Sequence, residues 1–167
     1  MSRRSISQNN QRVRRTESQR VRILGVFFNI LGGFPLLRQL AALYFRQMER
    51  KLLRQRVIEF SQSILPITEH LNQMKQYVIS KQLMRSATAI GALAFEAEHA
   101  ETREDFIHKM KIALKEANET AYWLTIVQNL VAIEKTLLED LSIIIRILNR
   151  SIVTAKANRS KKKKEKE

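Results

Sequence analysis

From Leu53 onward, apolar residues recur in steps of three and four: Leu53, Val57, Phe60, Ile64, Ile67, Leu71 and Met74. That is the period of an α-helix burying one side, and no strand pattern fits it. Three further segments repeat it. The second runs from about Gln76 to His99 on Leu83, Ala87, Ile90, Gly91 and Ala94, with Met84 and Phe95 flanking. Small residues at 87, 91 and 94 let a neighbouring backbone come close, a packing reason to accept a Gly that costs about 1 kcal/mol in helix propensity. The third covers roughly residues 103–130 and opens on Thr102-x-x-Asp105, a modest helix cap. The fourth carries Leu137, Leu141, Ile144, Leu148 and Ile152 and fades near Ala157. Pro66 is expected to kink the first helix or weaken its last turn. The links are short, and four Gly and two Pro leave little material for β-turns. The predicted fold is all-α: an up-down-up-down antiparallel four-helix bundle over residues 48–157.

The two ends differ from this middle. Residues 1–47 hold nine Arg and one Glu, and residues 158–167 hold six basic and two acidic side chains, so most of the net charge of +14 lies outside the bundle. Residues 1–22 show no apolar face and are expected to be poorly ordered. Residues 23–37, ILGVFFNILGGFPLL, are strongly apolar behind a basic lead, which raises a membrane-tethered bundle as an alternative. The run is shorter than the ~20 residues a spanning helix needs and contains Asn29, Gly32, Gly33 and Pro35, which argues against it. Met48 then reads as the natural start, with 1–47 an extension outside the working domain and 158–167 a solvated basic tail. With no Cys, disulfides and thiolate chemistry are excluded, in keeping with a cytoplasmic chain.

One stretch is distinctive in its spelling. Ser80-Lys81-Gln82-Leu83, Arg85-Ser86, Ile90-Gly91, Glu96-Ala97 and Asp105-Phe106 lead into Ile112-Ala113-Leu114-Lys115-Glu116-Ala117, Glu119-Thr120 and Tyr122-Trp123-Leu124. This closely resembles the four-helix-bundle family named for the 23S rRNA intervening sequence, over about Leu52 to Ala157. Ala87, Ala89 and Leu93 depart from it, standing where the family usually has Gly, Ser and Asn. The family is similar in fold to the pentameric accessory protein of diversity-generating retroelements, which binds nucleic acid and a reverse transcriptase. The resemblance therefore implies a ring-like homo-oligomer, a pentamer, with a nucleic-acid or protein partner.

Chemistry is thinly represented. Glu96-x-x-His99 and Asp105-x-x-His108 have the spacing of di-iron carboxylate bundles, but on a helical wheel they point away from the apolar stripes, so no metal site is expected. No Gly-rich phosphate loop and no nucleophile elbow is present, and the expectation is a non-enzymatic protein without cofactors. A bundle enzyme with dispersed acid/base residues is the remaining alternative. The third helix is the informative one. Phe106, Met110, Ala113, Ala117, Leu124 and Val131 form one stripe, and Ile112, Trp123, Ile126 and Leu130 form a second, read as nearly opposite and as a subunit interface anchored by Trp123. For nucleic acid the candidate face is Lys81 and Arg85 with Lys111 and Lys115, each pair at i,i+4, and Tyr122 as a stacking ring. Ion pairing with Glu116 and Glu119 is the competing role for these cations.

Overall fold

The computed structural model describes residues 35–164, and the side chains within 51–157 together with Leu40, Leu43, Tyr44 and Gln47. Four helices account for this part of the chain: α1 (Pro35–Gln73), α2 (Tyr77–Glu98), α3 (Arg103–Val127) and α4 (Lys135–Lys164). Compact packing divides the chain after Met48, and the bundle belongs to residues 49–167. Of the apolar run at 23–37, residues 23–34 lie outside the described residues, as do residues 1–22.

The register between α1 and α2 follows from four contacts. Ser80 Oγ donates to Thr68 O at 3.0 Å, Ser61 Oγ lies 3.5 Å from Ala87 O, and Gly91 faces Val57. Arg54 reaches Phe95 and Glu98. Residue numbers fall along α2 as they rise along α1, so the two helices are antiparallel. The α2–α3 pair is antiparallel by the same test: Thr120 Oγ1 and Ser86 Oγ are 3.0 Å apart, and Lys109 Nζ is 3.2 Å from Glu96. α4 packs on α3, and Arg56 of α1 holds Asp140 of α4 at 3.1 Å. The arrangement is the expected up-down-up-down bundle.

The apolar stripes are the core. Val57, Phe60, Ile64 and Leu71 of α1 meet Leu83 and Ile90 of α2, Leu124 of α3, and Ile144 and Leu148 of α4, all buried. Burial of this apolar surface is the main favourable term in folding. Ser86 and Thr120 are the buried hydroxyls at the α2–α3 seam, with Glu116 buried beside them on α3. Ser86 Oγ also bonds Leu83 O, and Thr120 Oγ1 bonds Glu116 O, so neither hydroxyl is left unpaired.

The helix limits add detail to the sequence reading. α1 begins at Pro35, ahead of Met48; Pro is suited to a first helical turn because its missing N–H has no partner to lose there. α1 runs through Pro66 to Gln73, as the sequence placed its end. The carbonyl that Pro66 leaves without a helical partner belongs to Gln62; both residues are exposed, so water can satisfy it. α3 stops at Val127, whose carbonyl accepts N–H bonds from both Leu130 and Val131, placing Leu130 in a turn. Asn129 lies in that turn, as its side-chain chemistry favours. α4 carries the backbone on to Lys164, since Lys and Arg are good helix formers and no Gly or Pro interrupts.

Helix ends show the local chemistry. Thr102 Oγ1 accepts from Asp105 N–H at 3.0 Å, the predicted cap of α3. α1 closes with Gln76 N–H on Leu71 O and Lys75 N–H on Asn72 O, and Lys75 sits at φ 60°. This is a Schellman ending with Lys in the left-handed position that Gly usually occupies.

Gly91 changes its meaning. A Cβ built there would meet Val57 no closer than 3.6 Å, ordinary van der Waals contact, so the close approach does not require Gly. Gly91→Ala is expected to raise stability by about 1 kcal/mol, read as a higher urea midpoint with an unchanged slope. A lower midpoint would show that the α1–α2 contact is tighter than these distances.

Candidate interaction surface on α2 and α3

The outer seam between α2 and α3 gathers most of the residues singled out in the sequence. Its centre is Arg85. The guanidinium donates to Glu116 Oε2 at 3.3 Å and to Glu119 Oε1, and its Nε bonds Gln82 Oε1. Trp123 Nε1–H donates to the same Glu119 oxygen at 3.3 Å. Of the two roles weighed for Arg85, the structure shows ion pairing, and the two carboxylates offset its charge. Lys81, Lys111 and Lys115 are exposed. Tyr122 is exposed too, with its ring edge-on to Trp123 at 5.2 Å.

This network fixes protonation. Hydrogen bonding from Arg85 first, and from the Trp123 N–H second, holds the Glu119 carboxyl below its ordinary value of 4.5, while Glu119 in turn raises Arg85. A carboxylate with a depressed folded-state pKa adds stability that is present above the unfolded value and is lost as pH falls through the lowered one. Trp123 is the single tryptophan, so its fluorescence reports on this group. The emission is expected to titrate with a midpoint below pH 4.5, and Arg85→Ala should move the midpoint up toward that value. An Arg85→Ala titration that overlays the parent would remove Arg85 as the cause.

The second stripe of α3 lies nearly opposite the core stripe and leans toward α2. Ile107, Met110, Ala113, Ala117, Leu124 and Val127 are buried. At 100° per residue the line of Ile112, Trp123, Ile126 and Leu130 lies about 135° round from their centre, on the α2 side of the helix. Ile112, Trp123 and Ile126 are accordingly half-buried, and Leu130 is exposed. Trp123 also packs against the core, so its role is partly internal.

One residue of this surface was missed in the sequence. Val78 is 75% exposed, and seven residues before Arg85 it shares that residue's side of α2. Counting eight residues back from Ser86 and eight forward from Thr120, across their contact, sets Val78 level with Gln128, between Ile126 and Leu130. Val78 therefore stands on α2 at the level where the apolar line of α3 ends. A Val in the first turn of α2, off the Leu83–Ala87–Ile90 stripe, was the available signal.

The acidic and His pairs sit elsewhere. Glu96 and His99 are exposed near the α2–α3 turn, and Lys109 Nζ lies 3.2 Å from Glu96 and 3.8 Å from Asp105. Among the described residues no three His, Asp or Glu side chains converge as metal ligands. No helix among them is long and apolar enough to cross a membrane.

Comparison with known proteins places this surface in a family. No curated protein matches the chain. It is similar to the solved structure of a protein of unknown function from the S23 ribosomal protein family of Bacteroides thetaiotaomicron VPI-5482, with 38% identity and a TM-score of 0.58 over 62% of this chain and 97% of that one. The 23S rRNA-intervening sequence protein family matches residues 50–154, a span that includes α2, α3 and the whole Arg85–Glu119–Trp123 network. With the bundle and most of its sequence thus accounted for, the chain belongs to the 23S rRNA-intervening sequence protein family.

Proposed function

We propose that this protein is a non-enzymatic, cytoplasmic, self-associating bundle whose copies meet through the outer α2–α3 seam. One observation carries the reading: after four helices have closed the core, Val78 and Leu130 are exposed and Trp123 and Ile126 are still only half-buried along the outer α2–α3 seam. A bundle of four helices needs one apolar face per helix, and a patch beyond that is the kind of surface subunits bury. Large aromatics often anchor such contacts, and the Arg85–Glu119 bond holds the Trp123 indole in place. The homo-pentamer implied by the resemblance to the retroelement accessory protein is one closed form that repeated use of this face would give.

The test uses Val78, because Trp123→Ala also removes core packing. Full-length Val78→Glu and Ile126→Glu are expected to shift the light-scattering mass from an oligomer to a monomer at micromolar concentration, with the helical circular-dichroism signal kept. A parent chain that is already monomeric, or an oligomer that survives both substitutions, would overturn this reading.

A second function, as a nucleic-acid-binding accessory, rests on the exposed Lys81, Lys111 and Lys115, with Tyr122 beside them. Arg85 contributes little there, because Glu116 and Glu119 offset it. Binding should fall with salt, and Lys111→Glu/Lys115→Glu should weaken it and flatten the salt slope. A protein partner at the same face would show no such slope.

A further inference from the structure

We infer that the first turns of α1 dock on an anionic lipid surface, lying in the interface and not crossing it. Leu40, Leu43 and Tyr44 are 55%, 60% and 60% exposed, and they stand at i, i+3 and i+4 on one side of α1. This is the spacing that gives a helix one continuous apolar face. Across residues 1–47 there are nine Arg against one Glu. An exposed Leu/Tyr face within a segment of this charge is the pattern of interfacial membrane helices: apolar side chains enter the acyl boundary while cations meet the headgroups.

The chemistry selects lipid over the other polyanion. Arginine alone serves a phosphate backbone as well as an anionic leaflet, but a duplex has no use for Leu40 and Leu43. A tyrosine at the edge of the face suits the headgroup level, where an amphipathic ring is favoured. Spanning is not needed for this, and no described helix has the length and hydropathy to span. The inference is independent of the α2–α3 seam, which lies in the other compact unit of the chain.

The test is co-sedimentation of the full-length protein with vesicles of phosphatidylcholine plus phosphatidylglycerol, and with phosphatidylcholine alone. Binding is expected on the mixed vesicles, and on phosphatidylcholine alone it should weaken by about tenfold or more, because each basic residue near an anionic surface contributes on the order of 1 kcal/mol. Leu40→Ser/Leu43→Ser should weaken binding to the mixed vesicles by about tenfold or more as well, through lost apolar burial. Both leucines are exposed, so the variant keeps its fold, and circular dichroism confirms that. No binding to mixed vesicles overturns the inference. Equal binding by the leucine variant also overturns it, since arginine charge alone would then suffice. Stronger retention on duplex RNA than on mixed vesicles, unaffected by the leucine changes, assigns the segment to nucleic acid instead.

Discussion

Replacing Asp140 with leucine is expected to destabilise the protein by about 3 kcal/mol, while Arg56→Met/Asp140→Leu should recover most of that loss. Arg56 Nη1 and Asp140 Oδ1 are 3.1 Å apart, with side chains only 13% and 18% exposed, and they join α1 to α4 across 84 positions of sequence. Arg56 Nε is buried without a hydrogen-bond partner, so the pair is incompletely satisfied as it stands. Removing one member strands a charge in a poorly hydrated site; replacing both with apolar groups removes the desolvation cost along with the attraction. Urea denaturation of the two single variants and the double variant gives the cycle. A coupling below about 0.5 kcal/mol would show that water reaches the pair well enough to make it an ordinary surface contact.

The second large effect is at Phe60. Phe60→Ala should cost about 3–5 kcal/mol, and Phe95→Ala clearly less, about 1–2 kcal/mol. Phe60 is buried between the helices, so deleting its ring leaves a cavity that rigid neighbours cannot fill. Phe95 is half-buried at the rim, where the Arg54 guanidinium lies over its ring at 4.2 Å. Water fills the space left there, and an exposed cation–π contact is worth only about 0.5–1 kcal/mol. Equal losses at the two positions, measured by thermal and urea unfolding, would contradict this ordering.

These sites also show what was legible beforehand. The stripe from Leu53 was read correctly from its spacing as far as Leu71, while Met74 lies past the end of α1 and is exposed; the Thr102 cap was read correctly from its local pattern. Both depend only on residues three or four apart, which a helix brings together whatever else the chain does. Trp123, Ile126 and Leu130 were found because they sat off the core stripe on the helical wheel. The boundary at Leu130 was misjudged, because neither Gly nor Pro marks the end of α3.

Arg85 was read both as half of a basic pair with Lys81 and as an ion partner of Glu116 and Glu119. The antiparallel register of α2 and α3 decides between them, bringing Arg85 to the two carboxylates 31 and 34 residues away. Val78 was likewise one more apolar residue until that register set it level with the gap between Ile126 and Leu130. The helical period, the bundle and the family spelling are local properties, written in neighbouring residues. Charge pairing, the Arg56–Asp140 link and the shape of the apolar patch depend on how far one helix slides and turns against the next. That offset is decided by side chains packing in three dimensions, so it belongs to the tertiary structure alone.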